Sequence, residues 1–173
     1  MSSKLKIITL FSAMFVFFFT ATAEQNLNTP KVKDDEVMTA KSQAKLTPES
    51  VLKDLMKGNE RYVKNDLTNR DLPAQVSATA DGQYPKAVIL SCIDSRVPVE
   101  YVFDQGVGDI FTARVAGNFV NEDILGSMEF GAKVAGSRLI MVLGHESCGA
   151  VKSAIDDVRV GNITPMLEKI QPA

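Results

Sequence analysis

The chain's only two cysteines and its only histidine fall in two short motifs, Cys92-Ile-Asp94-Ser-Arg96 and His145-Glu-Ser-Cys148. Each motif stands directly behind an apolar run, Lys86 to Ser91 in one case and Arg138 to Gly144 in the other. Runs of this length bounded by turn residues read as buried strands. A chain that must carry the ends of two buried strands to one point has few folds open to it. Strands alternating with helical segments argue for a parallel sheet, in which functional residues gather beyond the C-terminal strand ends. The expected fold class is α/β, a mostly parallel central sheet flanked by helices.

Two thiolates and an imidazole are what a tetrahedral zinc site selects, and three protein ligands leave a fourth position open for chemistry. His145 and Cys148 are close enough for one turn to aim both at one ion, whereas Cys92 must be brought back by the fold. Two thiolates cancel the charge of Zn2+, so water on such a centre is acidified less than on three neutral histidines. Neighbouring groups must help. Asp94 and Arg96 are placed to do so. As an ordinary surface ion pair they would contribute about 0–1 kcal/mol. Two cysteines in an exported chain would by default form a disulfide, a reading that leaves Asp94, Arg96 and His145 without a role. Ser147 reads as a turn residue, because a serine hydrolase needs the one histidine already committed to the metal.

Cys-x-Asp-x-Arg after one strand and His-x-x-Cys-Gly after another resemble the two signature motifs of the β-class carbonic anhydrases, and Arg114-Val-Ala-Gly-Asn118 between them is similar to that family's Arg-x-Ala-Gly-Asn segment. The resemblance runs from about Thr47 to the C-terminus. It implies zinc held by Cys92, His145 and Cys148, and reversible hydration of carbon dioxide to bicarbonate by zinc-bound hydroxide. Asp94, held by Arg96, would orient that hydroxide, and Asp94 would itself become a metal ligand if its pair with Arg96 broke. The resemblance also implies that Gln83, in Gln83-Tyr-Pro85, contacts substrate across a subunit interface, and that N-terminal helices pack on a partner in a homodimer or higher oligomer. The Gly149 amide at a helix start suits an anionic product, close packing being its other reading. Two further readings use the same scaffold, a hydrolase of carbon disulfide or carbonyl sulfide and an inactive zinc-stabilised module. Family members usually continue beyond a segment like Met166 to Ala173, so an uncovered sheet edge is expected.

The first residues read as an export signal spanning 1–23. Lys4 and Lys6 precede an apolar core from Ile7 to Phe19, followed by Ala21-Thr22-Ala23, a cleavage pattern. The apolar core is short of the roughly 20 residues a membrane span needs, so no stable anchor is expected after cleavage, an uncleaved anchor being the other reading, and the mature chain is placed in the periplasm or outside the cell. Residues 24–46, polar and without apolar period, read as a flexible linker, and 47–173 as one zinc domain. A net charge of −2 with no basic stripe gives no footing for nucleic acid.

Thr47 and Pro48 signal a helix start, with Val51, Leu52, Leu55 and Met56 on its apolar face and an end near Lys64. Residues 66–82 read as irregular. Strands are expected at about 86–91, 109–115 and 139–143. Asn121 caps a helix reaching about Val134, with Ile124, Leu125, Met128 and Phe130 as its apolar positions, and further helices begin near Ala150 and Thr164. Phe103, Phe111, Phe119 and Phe130 serve either as core or as the wall of an apolar pocket, with at least half assigned to core. His145, once a ligand, cannot carry protons to solvent.

Overall fold

The computed structural model describes residues 36–172. The expected leader, and the linker as far as residue 35, lie outside the described residues. Strands β1 (Ala87–Ser91), β2 (Ile110–Arg114) and β3 (Leu139–Leu143) form one parallel sheet in the order β2-β1-β3. The three expected strands are therefore present. Ser91 stands level with Arg114 on one side and Leu143 on the other. The chain thus leaves all three strands at one height, and the residues that follow them meet there.

Side chains alternate across a sheet, and the two faces differ. Ala87 and Ile89 join Val51 and Leu55 of α2 (Pro48–Val63) and Val99 of α4 (Val99–Val102), all fully buried, with Phe103 beside them. Burying each leucine or isoleucine contributes about 1.5–3 kcal/mol. Val88 and Leu90 face Met128 of α5 (Glu122–Glu129), with Phe111, Ala113 and Ile124 at the margin. On that second face Ile140 and Val142 of β3 remain 44% and 57% exposed. β3 ends the strand order, so one of its edges is unpaired among the described residues.

α2 starts as its sequence signals. Thr47 Oγ1 accepts from the Ser50 amide, the Thr47 amide donates in turn to Ser50 Oγ, and Pro48 fills the first turn. Its buried stripe is narrower than expected, because Leu52 and Met56 are nearly half exposed. Gly58 allows the closest contact of this helix: a β-carbon there would lie 1.8 Å from the Phe103 carbonyl oxygen. Immediately after Phe103, Asp104 is buried with positive φ. It accepts bonds from Arg61, Arg70 and Thr68, and so ties α2 and the following loop to the end of α4.

Three helices fall where none was expected. α1 (Ala40–Gln43) lies in the segment read as a linker, begun by a Thr39–Ser42 capping box. Its anchor is Gln43, whose buried amide donates to the Pro85 and Ala135 carbonyls at 2.8 Å each. A single polar anchor leaves no apolar period to read. α3 (Leu72–Ala78) occupies the stretch read as irregular. Asp71 caps it through the Ala74 amide, and its one buried residue, Gln75, is again polar. α4 occupies the connection after Pro98. Asn121 does cap α5 through the Ile124 amide, but at Phe130 the helix widens to a π-helical turn, Phe130–Val134. α6 (Gly149–Ile155) and α7 (Ile163–Leu167) appear as expected. Among the described residues no helix is long and apolar enough to cross a membrane.

Candidate metal centre

Cys92 follows β1, and His145 and Cys148 follow β3. The Cys92 and Cys148 sulfurs are 3.9 Å apart and both thiols are free. With a His145 ring nitrogen they form a group whose ligand atoms all lie within 4.8 Å of one another. Two zinc–sulfur bonds of about 2.3 Å at a tetrahedral angle separate their sulfurs by roughly 3.8 Å, so the observed spacing fits. Histidine completes the test. Nδ1 lies 2.9 Å from the Glu146 carbonyl, which can only accept, so Nδ1 carries the proton. That leaves Nε2 with a lone pair, buried and without any hydrogen-bond partner. A buried, partnerless imidazole nitrogen beside two thiols is a donor set that zinc would complete.

Backbone geometry sets these directions. Ser147 has φ 56°, a left-handed conformation that costs of order 1–3 kcal/mol for a residue other than glycine. It turns the chain so that His145 and Cys148 face one point. Cys148 begins α6 without capping it through its side chain, so its sulfur stays available. The Gly117 amide donates to the Cys92 sulfur at 3.4 Å. Gly117 needs to be glycine, with φ 80° and Ile170 packed where a β-carbon would go. Burial pushes the Cys92 thiol up. The bonds from Gly117 and its other neighbours outweigh this and bring it down to about 7. His145 moves the other way: the adjacent Cys92 sulfur, with the Glu146 carbonyl and the Asp94 carboxylate, raises it despite desolvation.

Asp94 and Arg96 are joined as an ion pair. The guanidinium donates through Nε at 2.9 Å and Nη2 at 2.8 Å to the two carboxylate oxygens, and the Arg96 amide adds a third bond. These bonds hold the Asp94 carboxyl well below the usual carboxylate range. Asp94 Oδ2 lies 3.8 Å from His145 Nε2. The carboxylate is beside the ligand group and is bound to Arg96. A cavity of about 580 Å³ adjoins His145 and Cys148, walled by Val151, Ile155 and Ile170. Phe103, Phe111, Phe119 and Phe130 do not line it: Phe103 is core, Phe111 and Phe130 meet at a tilt on the other sheet face, and Phe119 lies under Lys169.

Gln83 is exposed and precedes the N-terminal end of β1, whereas the ligand group lies beyond its C-terminal end. At about 3.3 Å per strand residue the strand alone keeps them well apart within one chain. Gly149 opens α6, and a β-carbon there would meet nothing within 4 Å, so close packing does not explain it. Arg114 was noticed in the sequence only as part of a similar segment. Its side chain donates through Nε to the Cys92 carbonyl at 2.8 Å and through Nη2 to the Asp94 carbonyl at 2.6 Å. The adjoining Gly117-Asn118 pair, both at positive φ, was the readable sign that the chain turns sharply there.

A family profile for carbonic anhydrase matches residues 87–173, which contain both motifs. Carbonic anhydrase 2 of Mycobacterium tuberculosis is 39% identical over 132 residues, covering 73% of this chain and 64% of that protein. The carbonic anhydrase of Mycolicibacterium smegmatis is 40% identical over 133 residues with the same coverage. The chain thus spans 64% of the length of these relatives. Among solved structures, the β-carbonic anhydrase CcaA is 28% identical with a TM-score of 0.52, covering 72% of this chain and 62% of that one. One of two tetrameric β-carbonic anhydrases from Sordaria macrospora, 22% identical with a TM-score of 0.54, covers 72% and 61% and shares the fold. The chain belongs to the carbonic anhydrase family, in its β class.

Proposed function

We propose that this chain is a zinc enzyme that interconverts carbon dioxide and bicarbonate, working as a homodimer or larger assembly outside the cytoplasm. The observation that carries the reading is the buried, partnerless His145 Nε2 grouped with two free thiols beside Asp94. Cys92, His145 and Cys148 would hold the ion, which supplies Lewis acidity at its remaining position when bound. Asp94 stays ionised because Arg96 holds it. Its spare lone pairs accept a hydrogen bond from the attacking water oxygen and so direct that oxygen's own lone pair at the carbon of carbon dioxide. The cavity beside His145 and Cys148, with apolar walls, suits an uncharged substrate. Stopped-flow hydration of carbon dioxide on protein of known zinc content tests the reading, and absence of turnover in fully zinc-loaded protein refutes it.

Hydration also releases a proton. His145 is the only histidine and, as a ligand, is not free to shuttle it. Turnover at saturating carbon dioxide should therefore rise with imidazole-type buffer and then level off, at fixed pH and ionic strength. A flat response down to very dilute buffer would assign the proton to a group of the chain. Assembly is supported by the exposed Leu52 and Met56 on α2 and by the position of Gln83, which suits a neighbour's centre better than its own. Light scattering tests it. N-terminal sequencing of protein recovered outside the cytoplasm tests export.

A further inference from the structure

We propose that Arg114 is a positioning residue for the metal centre, fixing the backbone from which Cys92 and Asp94 project. The proposal rests on the zinc reading above.

The loop from Cys92 to Arg96 has little else to hold it. β1 ends at Ser91, and the last ladder bond on the β2 side runs from the Val115 amide to the Ser91 carbonyl. Cys92 is buried, but Ile93 is 60% exposed, so apolar burial does not anchor the loop beyond Cys92. Arg114 is level with Ser91 in the register. Its side chain carries hydrogen bonding past the end of the sheet, reaching the carbonyls of Cys92 and Asp94 with two donors of one planar fork. Within the loop the Val97 amide donates to the Asp94 carbonyl and the Arg96 amide to the Asp94 carboxylate, and neither bond reaches the Cys92 carbonyl.

The two arginines near the centre divide the work. Arg96 engages the Asp94 carboxylate, while Arg114 engages only main-chain oxygens and makes no ion pair among the described residues. Three residues beyond Arg114, the Gly117 amide bonds the Cys92 sulfur. Cys92 is therefore held at both its carbonyl and its sulfur by the chain leaving β2. A rigid fork can bridge two carbonyls, whereas the point charge of a lysine can serve only one of them well. Loss of the bridge would leave Cys92 and Asp94 free to swing relative to His145 and Cys148.

Cobalt(II) reads this directly, since its absorption bands report ligand geometry and thiolate bonding without turnover. Wild-type full-length chain is titrated first, and failure to bind one cobalt with thiolate bands refutes the zinc reading itself. With binding established, Arg114→Ala and Arg114→Lys are compared with wild type by cobalt titration, by chelator competition for zinc, and by urea unfolding of the metal-free protein. The expected result is metal affinity about 10- to 100-fold weaker and altered cobalt bands, with metal-free stability little changed and Arg114→Lys only partly restored. Wild-type affinity and bands in Arg114→Ala overturn the proposal. So does a variant whose metal-free stability falls while its bound cobalt keeps the wild-type spectrum. Should Arg114→Ala fail to fold, Arg114→Lys decides on the same bands and affinities, and wild-type values in it overturn the proposal.

Discussion

The end of the sheet that carries Cys92, His145 and Cys148 and the outer face of β3 begin from similar apolar strands, yet they are organised in opposite ways. At the strand ends the groups that matter have specific partners. Cys92 has Gly117 and Arg114, His145 has the Glu146 carbonyl, and Asp94 has Arg96. On the outer face, Ile140 and Val142 stand 44% and 57% exposed. The sealed face under α2 supplies the apolar burial, and the polar bonds to backbone supply direction. Site geometry here is a product of bonding at the rim, and core packing serves to hold the rim level.

The sharpest test of that contrast is removal of a ligand. Cys148→Ser should reduce bound zinc from about one per chain to almost none, and abolish hydration, because a neutral hydroxyl is a poor zinc donor. Elemental analysis after dialysis measures it. Full retention of zinc in the variant would show that the ion, if any, sits elsewhere.

Asp104 extends the comparison to a bonded cluster away from the Cys92, His145 and Cys148 group. Asp104→Asn leaves Arg61 and Arg70 without their buried partner, and the expected cost is about 3 kcal/mol, read by urea unfolding near neutral pH. Burial raises the Asp104 carboxyl, but Arg70, Thr68 and Arg61 outweigh that and lower it. A group depressed on folding adds stability above its unfolded value, near ~3.9, and that stability is lost as pH falls through the folded value. Wild type should therefore lose stability on acidification below that range, and Asp104→Asn should lose less over the same interval. Parallel pH profiles would show that Asp104 is not the titrating group.

These two regions also differ in how far the sequence reveals them. The strands and ligands were legible because apolar runs with soft donors behind them allow few arrangements. Thr47-Pro48 likewise signals its own cap. What stayed hidden is held by single polar bonds over long separations. Gln43 reaches Pro85 and Ala135, and Asp104 gathers Arg61, Thr68 and Arg70, none with a periodicity. α1 and α3 were missed for that reason, since each buries one glutamine in place of an apolar stripe. Arg114 was visible as a residue, but its role depends on the register that sets it level with Ser91. The widening of α5 into a π-helical turn at Phe130 has no sequence sign that we can name.

Arg96→Ala separates orientation from metal binding at the same rim. Arg96 is not among the grouped ligand atoms, so zinc content should stay near wild type. The Asp94 carboxylate would lose both side-chain donors and its fixed direction. Turnover should fall about 100-fold, within the range typical for loss of a group that orients an acid or base. Parallel zinc analysis and stopped-flow hydration read the two effects. Unchanged turnover would make Arg96 purely structural, and loss of zinc would make the dyad part of metal retention.

The smallest expected effect bears most directly on the contrast between bonded rim and open face. Leu55 is fully buried, and Leu55→Ala should cost about 2–5 kcal/mol. Val142 has a side chain of comparable character on the same sheet but is 57% exposed, and Val142→Ala should cost no more than about 0.5 kcal/mol. The pair is best measured by urea unfolding at several protein concentrations. If Val142→Ala approaches the Leu55→Ala value at every concentration, the outer face is packed within the single chain and the contrast fails. If its cost grows with concentration, a second copy covers that face, and the exposed valine belongs to an interface. If it stays small throughout, the rim of the sheet keeps its geometry while the β3 face lies open to water, which would show that the polar bonds around Cys92 and His145 do not depend on sealing both sides of the sheet.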